Sequence, residues 1–176
     1  MLVRQATKDD YDGIARLTLA AYRALDTWVG DDYAAHLADV AGRAEADSTI
    51  VLVAEEDLPT RPSGQLLGSV TLTIGGGPYF EWRHGVDGDC GFRMLAVDPA
   101  VQGRGVGPRL VAECLERART AGCRRMVIGS TEWMTTAHRI YERLGFRRAP
   151  ELDQMWGDIR GLCFVLDLGG RPAAGA

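Results

Sequence analysis

A chain of 176 residues with 46% apolar and 25% charged residues has the composition of a globular protein able to bury its own core. Its net charge of -4 argues against a general nucleic-acid surface, which is normally basic. No apolar run reaches the roughly 18 residues of a membrane span. The opening MLVRQATKDD lacks the apolar core of a signal peptide, so a cytoplasmic protein with no nucleic-acid or membrane partner is expected.

Leu2 to Ala6 reads as a short strand. Thr7, three residues before Asp10, reads as a capping box that opens a helix to about Leu25. Tyr11, Ile14, Ala15, Thr18, Tyr22 and Leu25 share one face of it. Thr27 to Asp32 breaks the pattern, and a second helix is expected from Asp32 to Glu45. Thr49 to Glu55 (TIVLVAE) reads as a buried strand and Leu66 to Ile74 as the next, joined by the turn-rich Asp57 to Gln65. Gly75 to Asp89 is a long, aromatic, glycine-rich loop, a kind of segment that often carries function.

Gly91 to Val97 reads as a strand, Pro108 to Thr120 as a helix stopped by Gly122, and Arg125 to Gly129 as a strand. Thr136 to Leu144 reads as a helix with Ala137, Ile140, Tyr141 and Leu144 on one stripe and Gly145 as its cap. His138 is expected to face outward. Gly161 to Leu168 closes the series, and the tail from Gly169 is expected to be disordered. Strands and helices mix throughout, which predicts one α/β domain over residues 1–168 with a sheet of six or seven strands. The four cysteines form no CxxC pair and the histidines show no ligand spacing, so reduced structural cysteines and no metal are expected.

The segment AVDPAVQGRGVGPRL joins a strand to a helix through Gly103, Gly105 and Gly107. A helix start offers N–H groups without intrahelical partners in a positive potential, where phosphate binds well. Glycines admit an anion to bare main chain, and Arg104 adds a cation. The competing reading is a tight turn whose glycines only permit close packing. The spacing is neither a Walker A loop nor a dinucleotide fingerprint.

Gln102, Gly105 and Gly107, followed by Ala137, Tyr141, Gly145 and Phe146, resemble the paired motifs of the GNAT superfamily of acetyl-CoA-dependent N-acetyltransferases. The resemblance implies a three-layer fold with a mixed, mostly antiparallel sheet splayed at its central strands and flanked by about four helices. It implies that Gln102, Gly103, Arg104, Gly105, Val106 and Gly107 cradle the coenzyme A pyrophosphate. Leu95, Ala96 and Val97 would bond the pantetheine arm, and Ala137 would contact the cofactor. Tyr141 would contact it too and act as the general acid for the leaving thiolate.

The chain departs from the family at two points. Met134 stands where many members have Asn, and Gly91 where many have Glu. The base is therefore sought among Asp89, Glu81 and His84. Trp28, Tyr33, Glu81 and Trp82, with Tyr79 and Phe80, are expected at the acceptor. The implied reaction moves acetyl from acetyl-CoA to a primary amine of a small molecule or peptide. The alternative is a catalytically weak acyl-CoA-binding sensor of the same fold. The resemblance also admits a homodimer.

Overall fold

The computed structural model describes residues 1–25, 30–56, 65–75, 79–80 and 88–169. Strands β1 (Leu2–Gln5), β2 (Thr49–Glu55), β3 (Leu66–Ile74), β4 (Asp89–Val97), β5 (Arg125–Thr131), β6 (Arg147–Arg148), β7 (Gln154–Trp156) and β8 (Ile159–Asp167) form one mixed sheet. Its order is β1-β2-β3-β4-β5-β8-β6, with β7 paired to β8. The helices are α1 (Tyr11–Arg23), α2 (Asp31–Ala38), α3 (Val40–Ala44), α4 (Val106–Thr120) and α5 (Thr135–Arg143). This is the expected α/β class, with eight strands where six or seven were expected. The additions are β6 and β7, two and three residues long, too short to show a period.

The chain forms two compact units, residues 1–72 with 94–113, and residues 73–93 with 114–176. In the first, β1 pairs antiparallel with β2, from Leu2↔Glu55 to Gln5↔Leu52. The capping box forms as read: the Thr7 N–H donates to Asp10 Oδ2 at 2.7 Å. Arg4 ties it to the sheet, donating to Asp10 at 2.7 Å and to Glu55 at 2.9 Å. Helix α1 then buries Ile14, Leu17, Thr18, Ala21 and Tyr22 on one face. The single helix expected over Asp32–Glu45 is two, broken at Asp39. Asp39 leaves helical geometry, at ψ 73°, and its carboxylate accepts the Gly42 N–H at 2.9 Å to start α3. The buried Arg43 then donates to the carbonyls of Leu37 and Asp39, at 3.0 and 2.9 Å, and closes the end of α2. A cation there is also favoured by the helix dipole.

In the second unit β5 and β8 pair antiparallel, from Arg125↔Asp167 to Thr131↔Gly161. One face carries Ile128, Ser130 and Phe164, and the other carries Val127, Cys163 and Val165. Asp153 supports this unit from a loop. It accepts from Arg148 at 2.9 Å, Arg160 at 3.0 Å and the Cys163 N–H at 2.8 Å. Burial opposes its charge, yet these donors hold its carboxyl below the usual range. All four cysteines are buried and unbridged. Among the described residues no helix is long and apolar enough to cross a membrane. Residues 170–176 of the expected tail lie outside the described residues.

Candidate active site

Strand β4 ends at Val97 and the chain turns at Asp98, whose carboxylate accepts the Ala100 N–H at 2.9 Å. Past this cap, Gly103 and Gly105 both take φ +81°, which side chains rarely adopt. A Cβ at either would meet nothing within 4 Å. The two glycines therefore do not serve close packing. They bend the main chain and leave the space over it open. Helix α4 starts at Val106, with the first ladder bond from the Arg109 N–H to the Gly105 carbonyl at 3.2 Å. The N–H groups of Val106 and Gly107 precede that ladder, and Pro108 has none to lose. Gln102, Gly103, Arg104 and Gly105 are exposed, and Val106 and Gly107 are buried in the first turn. The Arg104 guanidinium donates to Glu56 at 2.9 Å.

The half of β4 that leads into this turn holds Leu95, Ala96 and Val97. Gly68 on β3 lies so close that a Cβ there would be 2.7 Å from the Ala96 carbonyl and 2.9 Å from Val106. Glycine alone lets β3 lie against both the end of β4 and the start of α4. Met94, buried within β4, takes φ +52°. A left-handed non-glycine residue inside a strand costs on the order of 1–3 kcal/mol and interrupts its pairing.

In the second unit β4 and β5 run parallel and pair only at Asp89↔Arg125 and Cys90↔Met126. The splay implied by the sequence motifs is present as this early end of pairing. Asp89, a candidate base in the sequence, is tied up in the fold. It is the buried first residue of β4, the opposite end of that strand from the glycine turn. Its oxygens accept from Arg125 at 2.7 and 3.3 Å. A carboxylate so paired is a structural anchor. Gly91, two residues on, has no room for a side chain: a Cβ would be 2.5 Å from the Val127 carbonyl. A glutamate at this position, where the resemblance leads one to expect it, would meet that carbonyl. A recess beside Gly91 is lined by Thr73, Tyr79, Phe80, Arg93, Val127 and Gly129. Tyr79 and Phe80, expected at the acceptor, are among the residues that line it.

Tyr141 is buried on α5 against Phe92, Phe146 and Phe164, with ring centroids at 5.7, 5.8 and 5.5 Å. Burial pushes its phenol well above the ordinary value, so it stays protonated at neutral pH. Ala137 lies one turn before it, half-buried. His138 does not face outward. It packs on Phe164 at 4.9 Å, and its Nε2 is 3.1 Å from Ser130 Oγ. Its spacing of three from Tyr141 puts both on one side of the helix, a signal the stripe in the sequence contained. Met134 is the N-terminal cap residue of α5 and makes no side-chain cap bond. Tyr33 is exposed on α2, 6.1 Å from Tyr22. Trp28, Glu81, Trp82 and His84 lie outside the described residues.

Residues 12–146 match the model of the acetyltransferase (GNAT) family. The chain belongs to that family. Its fold matches solved members of that family. The structure of yncA from Salmonella typhimurium with its cofactor acetyl-CoA is 24% identical, with a TM-score of 0.69 over 100% of this chain and 98% of that one. A GNAT family acetyltransferase from Brucella melitensis in complex with acetyl-CoA is 29% identical, with a TM-score of 0.59 over 99% and 96%. Among curated proteins, "Glucosamine 6-phosphate N-acetyltransferase" of Trypanosoma brucei brucei is 32% identical over 87 residues, 49% of this chain and 54% of that protein. This match thus spans about half the length of the trypanosome protein. "Probable glucosamine 6-phosphate N-acetyltransferase 2" of Oryza sativa subsp. japonica is 28% identical over 150 residues, covering 82% and 80%. Gln102–Gly107, which carry the first part of the resemblance, thus lie on a turn with open, left-handed backbone.

Proposed function

We propose that the protein transfers the acetyl group of acetyl-CoA to the primary amine of a small molecule by direct attack in a ternary complex. The observation that carries this reading is the open, left-handed backbone at Gly103 and Gly105 ahead of α4. Main-chain N–H groups there suit the coenzyme A pyrophosphate, with Arg104 beside them. The main chain of Leu95–Val97, past the residues of β4 that pair with β5, suits the pantetheine arm and the thioester oxygen, where donors stabilise the tetrahedral oxyanion.

Tyr141 faces the leaving thiolate in this reading. A thiol's ordinary pKa is about 8.5, and Tyr141 is pushed above its ordinary value of about 10. Outright loss of the phenol proton to sulfur is therefore uphill. Tyr141 stabilises the thiolate as a hydrogen-bond donor and passes on a proton taken from the attacking nitrogen. The names of the curated relatives support glucosamine 6-phosphate as the first acceptor to test, and Arg93 in the recess suits an amine that also carries an anionic group.

The test is release of free thiol from acetyl-CoA with glucosamine 6-phosphate and a panel of other amines. The wild type should turn over, and Tyr141→Phe should slow it by roughly 10²–10⁴-fold while sparing coenzyme A binding. Equal rates in the two proteins would remove Tyr141 from the mechanism. Coenzyme A binding without any turnover would favour the sensor reading.

A further inference from the structure

Beside the face of α1 that carries Ile14, Thr18 and Ala21 runs a second stripe, Gly13, Arg16, Leu17 and Ala20, spaced at three and four residues. This stripe lines a groove of about 280 Å³, together with Leu66 at the start of β3 and Asp98 just past the end of β4. Every lining residue belongs to the unit of residues 1–72 and 94–113. Gly13 is where α1 closes on β3, since a Cβ there would be 3.3 Å from Leu66 Cδ1.

The lining is apolar at its base and charged at its rim. Leu17 and Leu66 are buried, Arg16 is exposed and Asp98 is half-buried. Arg16 and Asp98 share the groove, yet no ion pair joins them. Among the described residues Arg16 has no hydrogen-bond or ion-pair partner. Asp98 Oδ1 accepts the Ala100 N–H at 2.9 Å, and no described residue donates to Oδ2. The Asp98 N–H donates to the Leu67 carbonyl at 2.9 Å, which fixes this carboxylate to the sheet. An apolar hollow with a few placed polar groups is the usual make-up of a small-molecule site. The volume is near the lower end of the roughly 300–1,000 Å³ that such sites occupy.

We propose that this groove binds a free aliphatic amino acid. Its carboxylate pairs with the Arg16 guanidinium, whose planar fork suits two carboxylate oxygens at once. Its ammonium pairs with Asp98, and its hydrocarbon part covers Leu17 and Leu66. Two opposite charges on the protein select a zwitterion by what they repel. A sugar phosphate or nucleotide would bring excess negative charge to Asp98, and a polyamine would bring positive charge to Arg16. The site uses neither Tyr141 nor the glycines of the turn, so it stands apart from acetyl transfer.

The experiment titrates the protein by calorimetry with two zwitterions, L-leucine and δ-aminovalerate, whose charges lie near each other and further apart. Each is compared with the acid and the amine that carry only one of its charges: isocaproate and isoamylamine, valerate and pentylamine. At least one zwitterion should bind saturably, with a Kd on the order of 1 mM, and its singly charged analogues roughly three- to tenfold more weakly. Arg16→Gln should weaken the zwitterion and the acid by a similar factor and leave the amine unchanged. Asp98→Asn should do the reverse, and Ala20→Phe should fill the groove and abolish binding.

Arg16 and Ala20 are exposed on α1, so these two variants decide the matter even if Asp98→Asn fails to fold. Three results overturn the proposal: no saturable binding of either zwitterion, binding no tighter than that of the acid or the amine, or a wild-type Kd in Arg16→Gln and Ala20→Phe. A dimer in sedimentation that Arg16→Gln weakens, with no amino acid bound, gives the groove to a second copy of the chain and overturns it too.

Discussion

Asp10 shows how one side chain at the start of a helix ties local structure to the sheet. Its carboxyl is held down first by Arg4, and reaches about 2 although burial opposes the charge. An unfolded aspartate titrates near 3.9. A lowered folded pKa means stability that is fully present above that value and is lost as pH falls toward 2. Asp10→Asn should therefore lower the unfolding free energy at pH 7 by roughly 1–2 kcal/mol in urea titrations, and the deficit should shrink below about pH 4. Gly91 is the other single residue with a sharp consequence. Gly91→Glu, which would place the acid that the resemblance leads one to expect there, should not create a base. Overpacking against the Val127 carbonyl should destabilise the fold by at least about 1–3 kcal/mol, read as a fall in the urea midpoint.

Among the elements, the turn between β4 and α4 carries the clearest prediction. Gly105→Asp puts a carboxylate and a strained φ where an anion is expected to sit. Coenzyme A at about 100 times its dissociation constant should stabilise the wild type by roughly 2.7 kcal/mol, and the variant should show no thermal shift. Elements of this length were legible in the sequence because their periods are strong: β2 and β3 have the bounds that TIVLVAE and LLGSVTLTI predict. The break at Asp39 was not legible, because it depends on Arg43 folding back onto carbonyls of the preceding helix. The turn could be read from its glycines, yet only the empty space over Gly103 and Gly105 distinguishes an open turn from a packed corner. Asp89 misled because a carboxylate beside a glycine-rich loop looks available. Its partner Arg125 is 36 residues away in sequence. His138 was misread because helical spacing fixes which residues are neighbours and leaves open which side the sheet covers.

At the scale of the molecule, each compact unit holds one part of the expected chemistry. The glycine turn belongs to the unit of residues 1–72 and 94–113, and Tyr141 belongs to the other. In β4 the division falls at Met94, the left-handed residue. The parallel contact of β4 and β5 ends after Cys90 and Met126, while β5 keeps β8 along its other edge as far as Thr131. In a strand held on one side only, alternate amides point away from the partner. Deuterium should therefore enter those amides of Val127–Thr131 faster than the amides that bond to β8. Equal uptake by the two sets, read by exchange mass spectrometry, would mean that this stretch of β5 is protected along both edges.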